Sequence, residues 1–331
     1  MSDAPKLTYY PDDRPGIRRQ RRGRGFSYLM PDGTRINDAG ERKRLSALAV
    51  PPAWEDVWIC PIPKGHLQAT GRDVKTRKQY QYHPDWTAFR AIRKFDHLVE
   101  FGDALPRLRR RILSDLRDND VGERSFAIAA VLALIDRAGL RIGTQDYARA
   151  NKTYGATTLR SRHLDLDGNT LRLRYRGKGG KLVKKTLRDQ TLNRVLTQLD
   201  DLPGPELIGW TDEDGSPRSI SSAEINSFLV EYLDNTSLTA KTFRTWNGSV
   251  AALDAVMKDE EATIKSVSEA AAERLHNTPT IARTSYIHPA VIDLVDMPMD
   301  ARQKRFAKAK ERTGLRRRES QLLHLLDDTG P

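Results

Sequence analysis

The chain has 331 residues, 38% hydrophobic and 30% charged, a balance suited to packed cores in one large or two moderate domains. Lysine and arginine outnumber aspartate and glutamate by 56 to 44, a formal charge of +12 that favours a polyanionic partner. Cys60 is the only cysteine, which excludes an intrachain disulfide framework and fits a reducing compartment such as the cytoplasm. No apolar run is long enough to span a bilayer, and Met1 to Arg24 lacks the apolar segment of a signal peptide.

Taken in chain order, the stretch around Arg18 to Gly25 reads as a flexible basic arm. Phe26 to Leu29, then Pro31-Asp32-Gly33-Thr34, reads as strand and turn. Trp54 to Ile59 is a second strand between flanking prolines. Gln68 to Asp73 reads as a turn after a strand, and Arg77 to His83 alternates until Pro84 ends it. From Trp86 the pattern is helical, with Phe89, Ile92, Leu98 and Phe101 at helical spacing and Pro106 as an interruption. Ser125 is placed to cap a long apolar helix, Phe126 to Ala138, which Gly139 stops. Leu171, Leu173 and Tyr175 alternate with Arg172, Arg174 and Arg176; after a glycine-rich turn, Leu182 to Leu187 returns as the second arm of a β-hairpin.

Helices are expected over about 189–200, 222–234, 242–258 and 260–276. Thr278 and Pro279 form an N-cap and N1 pair that starts a short helix carrying Tyr286 and ending before His288-Pro289. Ala301 to Arg318 reads as a basic amphipathic helix. The expected fold class is α+β: a small β-rich domain over 1–88, then a mostly helical domain over 89–331 that holds the hairpin.

The familiar phosphate loops and zinc motifs are absent, and the histidines lack ligand spacing. Neither a metal nor a nucleotide cofactor is therefore expected. The acidic runs at 212–214 and 259–261 sit among polar residues and read as solvated surface. Four basic or aromatic features remain. In Arg77-Lys78-Gln79-Tyr80-Gln81-Tyr82-His83, strand alternation puts Lys78, Tyr80 and Tyr82 on one face and Arg77, Gln79 and Gln81 on the other. Such a strand can meet phosphates and base edges, or it can be an edge strand with half-buried tyrosines. Arg137-Ala138-Gly139-Leu140-Arg141-Ile142-Gly143 ends the apolar helix, where an arginine can cap carbonyls. Gly177-Lys178-Gly179-Gly180-Lys181 is the hairpin tip. Lys241-Thr242-Phe243-Arg244-Thr245-Trp246 precedes Asn277 and Tyr286.

In order, these features resemble the poxvirus-type and bacterial type IB DNA topoisomerases. The resemblance runs from Gln68 to the end. It is carried by Gly71-Arg72-Asp73 with Arg77 to Tyr82, by Leu140-Arg141-Ile142-Gly143 with Tyr147-Ala148-Arg149, and by Tyr154-Gly155-Ala156-Thr157-Thr158-Leu159-Arg160. Gly177-Lys178-Gly179, Lys241 to Thr245, and Asn277-Thr278-Pro279 with Ser285-Tyr286-Ile287-His288-Pro289 complete it. The resemblance implies that Tyr286 is the nucleophile, that Arg141 and Arg244 are the catalytic arginines, and that Lys178 is the hairpin lysine. Poxvirus members carry a histidine nine residues before the tyrosine; here Asn277 stands there, as in bacterial members, with His276 beside it. Arg77, Lys78, Gln79, Tyr80, Tyr82, Tyr147 and Lys241 fall on DNA-contacting positions.

What this implies is a fold like that of type IB topoisomerases and tyrosine recombinases, acting as a monomeric clamp on duplex DNA, with no obligate protein partner, no membrane and no cofactor. Relaxation would proceed through a 3′-phosphotyrosyl bond at Tyr286. Exchanging one phosphodiester for another of similar energy needs no ATP. Two arginines and an amide can hold the transition-state charge, arginine charges favour the phenolate of a group whose usual pKa is near 10, and Lys178 can protonate the leaving 5′ oxygen. The competing reading is a tyrosine recombinase. That family usually has His-x-x-Arg at its second arginine, where this chain has Lys241-Thr242-Phe243-Arg244, and it generally donates a helix to a neighbour. A non-enzymatic DNA-packaging protein would not need the ordered motif set.

Overall fold

A computed structural model describes residues 5–23, 25–93 and 95–329. The chain divides into two compact units at 94/95, so the expected boundary at 88/89 falls inside a helix, α2 (Pro84–Arg93). The side chain of Ile92, expected in the helical stripe there, lies outside the described residues, as do Arg24 and residues 1–4 of the expected arm.

In the first unit β1 (Ile17–Arg22), β2 (Gly25–Leu29), α1 (Ala39–Ala47), β3 (Glu55–Ile59), β4 (Leu67–Arg72) and β5 (Lys78–Tyr82) precede α2. The strands make one antiparallel sheet in the order β2-β1-β3-β4-β5, whose core includes Ile17, Leu45, Val57, Ile59 and Ala69. The basic stretch is therefore a strand pair, not an arm. Arg18 to Arg22 pairs with Gly25 to Leu29, Ile17 is buried, and Arg19 donates to the carbonyls of Val50, Pro51 and Trp54 at 2.7–2.9 Å. The run of arginines hid the alternation. Gln68 to Arg72 is likewise strand; the turn begins at Asp73, whose carbonyl accepts from Thr76 N–H at 2.7 Å. Helix α1 went unforeseen because it buries only Leu45 and so shows no apolar stripe; Asp38 caps it by accepting from Glu41 N–H.

The second unit contains α3 (Leu98–Asp118), α4 (Arg124–Ala138), α5 (Gln145–Asn151), β6 (Leu164–Asp167), β7 (Thr170–Arg176), β8 (Leu182–Arg188) and α6 (Gln190–Asp200). A two-stranded ribbon of β9 (Gly209–Thr211) and β10 (Pro217–Ser219) follows. Then come α7 (Ser222–Leu233), α8 (Ala240–Val256), α9 (Ile264–Leu275), α10 (Pro279–Tyr286), α11 (Pro289–Asp293), α12 (Met299–Phe306) and α13 (Arg317–Thr329). Helix α4 is the centre, apolar and buried almost all round, as a helix enclosed by others must be. It packs on α3, α6, α7 and α8, and Gly139 ends it with φ 67°. Its N-cap position is Glu123; Ser125 lies inside the first turn, where its Oγ accepts from Asn119 and donates to Glu123.

Pro106 sits inside α3 without ending it: the stripe of Phe101, Leu105, Leu108 and Ile112 is buried, which outweighs a proline cost of about 3 kcal/mol. The hairpin has a third strand, β6, with sheet order β6-β7-β8. Ala301 to Arg318 is not one amphipathic helix. Gly314, with φ 86°, lies in the turn between α12 and α13, and Arg302 points inward rather than to solvent, 2% exposed. No helix among the described residues is long and apolar enough to cross a membrane.

Candidate active site

Four chain segments converge around Tyr286. The first follows α4. Beyond Gly139 the chain leaves regular structure, and the turn Tyr154–Thr158 clamps it: Ala156 N–H donates to Arg141 O and Thr157 N–H to Ile142 O, both at 2.8 Å. Gly155 is required for this approach, since a Cβ there would lie 2.5 Å from Gly143 N. The Tyr-Gly-Ala-Thr-Thr motif therefore fixes the backbone of Arg141.

The second segment is the first turn and a half of α8, which carries Arg244, 4% exposed. Its Nη1 donates to Gly139 O at 2.5 Å and its Nη2 to Leu275 O at 3.0 Å, joining the C-terminal ends of α4 and α9, where a cation is favoured by the helix dipoles. Its Cζ lies 5.0 Å from the Tyr286 ring centroid. Burial, then Arg141, lower its pKa to about 10, which leaves it charged at neutral pH.

The third is the end of α9. His276 takes the left-handed C-cap conformation, φ 50° and ψ 51°, and turns the chain so that Asn277 faces Arg141, whose Nη2 donates to Asn277 Oδ1. Burial, then Lys185, Arg244, Arg141 and Arg274, bring His276 down to about 4, so this imidazole is neutral at physiological pH.

The fourth is α10, capped by Thr278 with Pro279 at N1 as expected, and ending at Tyr286. Two residues of α8 hold the end of α10. Ser249 Oγ donates to Tyr286 O at 3.3 Å and accepts from His288 N–H at 3.0 Å. A Cβ on Gly248 would lie 2.7 Å from Tyr286 O. Burial raises the Tyr286 pKa, but Arg244, through charge and a hydrogen bond, then Arg141 and Lys241, outweigh it, and the phenol sits below its ordinary value.

Three buried polar atoms in this cluster have no hydrogen-bond partner among the described residues: Arg244 Nε, Asn277 Nδ2 and His276 Nε2. An orphaned buried donor is costly. A guanidinium N–H and an amide N–H, each left without an acceptor in one cluster, suit an anion.

The other expected residues are elsewhere. Lys178 is exposed at the hairpin tip, where Gly179 and Gly180 take φ 76° and 77°, and its amine has no hydrogen bond or ion pair among the described residues. Lys241 is exposed at the start of α8, and Tyr147 is 48% exposed on α5. In the first unit Tyr80 and Tyr82 stack with centroids 6.2 Å apart on the outward face of β5, as alternation requires. Lys78 shares that face but is paired to Asp12 at 2.7 Å, and Asp73 gathers Arg77 at 2.6 Å and Gln79 at 3.0 Å. Arg137 is not a helix cap: it holds Asp189 at 2.6 Å, and Arg274 takes the carbonyls of Asp136 and Arg137 instead.

Sequence reasoning missed Lys185, Gly248, Ser249, Asn247 and Arg274. Asn247 Oδ1 accepts from Arg274 at 2.6 and 3.1 Å, and its Nδ2 donates to Asp136 O at 3.2 Å. The available signal was a run of polar side chains on the core face of α8.

Residues 83–313 match the family model described as the catalytic core of eukaryotic DNA topoisomerase I, and residues 25–73 match the N-terminal domain of bacterial DNA topoisomerase IB. DNA topoisomerase 1B of Acanthamoeba polyphaga mimivirus is 27% identical over 296 residues, covering 84% of this chain and 87% of that one. DNA topoisomerase I of Monkeypox virus is 20% identical over 256 residues, 73% of this chain and 76% of that one. A solved complex of the XerH site-specific recombinase aligns with a TM-score of 0.37 and 14% identity, over 54% of this chain and 47% of that one. The chain belongs to the type IB DNA topoisomerases. It is thus a DNA topoisomerase, and duplex DNA is its substrate class.

Proposed function

We propose that the enzyme relaxes supercoiled duplex DNA through a 3′-phosphotyrosyl intermediate at Tyr286. The observation that carries this reading is the pair of unpartnered buried donors, Arg244 Nε and Asn277 Nδ2, with His276 Nε2 also unpartnered among them, beside a phenol that cations hold below its ordinary pKa. The scissile phosphate takes these donors together with Arg141. Tyr286 Oη gives its proton to solvent water and attacks phosphorus, the tyrosyl–phosphate bond forms, and the bond to the 5′ oxygen breaks. Lys178 delivers the proton that the 5′ oxygen needs. The freed end swivels, torsion is lost, and the 5′ hydroxyl attacks the phosphotyrosine to reverse each step. Preorganised donors of this kind are each worth about 3 kcal/mol in the transition state.

Because one phosphodiester replaces another, the cycle needs no ATP, and the arginines supply the charge that a metal would otherwise bring. A monomer acts as a clamp, with Arg77, Lys78, Gln79, Tyr80 and Tyr82 of the first unit and Tyr147 and Lys241 of the second meeting the duplex, in the cytoplasm at the nucleoid. Site-specific strand exchange is the alternative. Against it, α13 packs on α3 and α8 of its own chain, and Arg109 on α3 binds both Glu319 and Asp136, at 2.7 and 2.9 Å. The test is plasmid relaxation in EDTA without nucleotide. Relaxation there is the expected result, and an absolute requirement for magnesium or ATP rejects the reading.

A further inference from the structure

Strand β8 has an inward face of Val183, Lys185 and Leu187: Val183 is buried, Leu187 packs on the core, and the residue between them is a lysine. An ammonium on the core face of a strand is costly unless something holds it. One hydrogen bond does so. Lys185 Nζ donates to Arg274 O at 2.8 Å, part-buried, across 89 residues of sequence. That carbonyl belongs to the last turn of α9, where carbonyls have no helical partner and where a cation is favoured. The next carbonyl, Leu275 O, is taken by Arg244. Two cations therefore cap adjacent carbonyls, and directly beyond them His276 turns into the left-handed conformation and Asn277 swings to Arg141.

We infer that Lys185 is a positioning residue for the cleavage reaction: by holding the Arg274 carbonyl it fixes the turn that aims the Asn277 amide at the scissile phosphate. Lys185 also stands on the strand that leaves the Lys178 tip, and its pair in the register is Leu173. The hairpin is thus tied at mid-strand to the Asn277 turn, three residues beyond the start of β8, while its glycine-flanked tip is left free to move. Arg274 itself is braced from the other side by Asn247, so the only side-chain hydrogen bond to its carbonyl among the described residues comes from Lys185. Burial, then Arg274, lower the Lys185 pKa to about 8, which leaves the amine mostly protonated at neutral pH.

The inference rests on the strand-transfer reading above, and a double-mutant cycle separates the two. Lys185→Met keeps the aliphatic stem as far as Cε and removes the donor. In single-turnover cleavage of a suicide duplex it should be slower by about tenfold, with noncovalent DNA affinity within about twofold of wild type. In an Asn277→Ala background the same change should have almost no further effect, because the group being aimed is gone. If the two losses multiply, Lys185 acts independently of Asn277 and the inference fails. Loss of affinity in proportion to rate would also overturn it, since that marks a phosphate grip. Should Lys185→Met fail to fold, Lys185→Gln retains an N–H donor but reaches a bond short, and the same cycle applies to it. Covalent adducts that persist in Tyr286→Phe would reject the strand-transfer reading itself; adducts absent there, with multiplying losses in the cycle, would reject only the role of Lys185.

Discussion

Lys178 and Lys185 lie seven positions apart on one hairpin, and their surroundings differ in kind. Lys185 is held at a helix end, whereas Lys178 is exposed just before Gly179 and Gly180, which take left-handed backbone. A mobile amine that enters the site only when DNA is bound is suited to donate a proton at the moment the 5′ oxygen departs. A lysine that only grips a phosphate would also be exposed, and leaving-group chemistry distinguishes the two. Lys178→Ala should cleave ordinary DNA about a hundred- to ten-thousandfold more slowly, the usual contribution of a general acid. On DNA with sulfur in place of the bridging 5′ oxygen, a leaving group that departs without a proton, its rate should return close to wild type. Equal slowing on both substrates would assign Lys178 to the phosphate. The ordered motif set singled out Arg141, Arg244, Asn277 and Tyr286, and the fold brings these four together, while Lys178 stands apart at the hairpin tip. Lys185, Asn247 and Ser249 were not legible, because each works through a contact between distant segments, and nothing near them in the chain announces the partner.

Among the elements, those with strong local signals matched their expected positions. The apolar run and Gly139 define α4, and Thr278-Pro279 defines the start of α10. Where tertiary contacts decided, sequence reading went astray: Pro106 inside α3, the paired arginines of β1, and the break between α12 and α13. Arg302 shows why the last of these was misread. Periodicity counts it as part of a charged face, yet its guanidinium donates to the carbonyls of Val256, Asp259, Leu294, Val295 and Met297 at 2.8–3.1 Å. It thereby closes the end of α8 against the turn after α11. Arg302→Met would leave those carbonyls buried and unpaired, at a cost on the order of 3 kcal/mol or more. The melting temperature should then fall by roughly 6–12 °C for a unit of this size. A change within about 2 °C would show that water or backbone shifts replace the arginine.

At the scale of the whole molecule, the second unit carries three histidines that folding holds neutral. His163, His276 and His288 each fall from an ordinary 6.5 to about 4, with burial the first cause in every case. Each binds a proton more weakly in the folded state than in the unfolded state. Between about pH 6.5 and 4 the unfolded chain therefore holds more protons, and stability declines as pH falls through that window. The paired carboxylates Asp73 and Asp118, held near 2, lose their contribution only at lower pH. Urea midpoints should drop between pH 6.5 and 4.5. A midpoint flat across that range would mean that these imidazoles are protonated without unfolding.

The central claim is that Tyr286 is the residue that holds the broken strand, and one measurement addresses it most directly. The enzyme is trapped on a suicide duplex in EDTA without nucleotide, digested, and the DNA-linked peptide sequenced. The account predicts a single adduct on the peptide containing Tyr286, joined to a 3′ phosphate, and none in Tyr286→Phe although that variant still binds the duplex. An adduct on another residue, a 5′ linkage, or covalent complex persisting in Tyr286→Phe would contradict it.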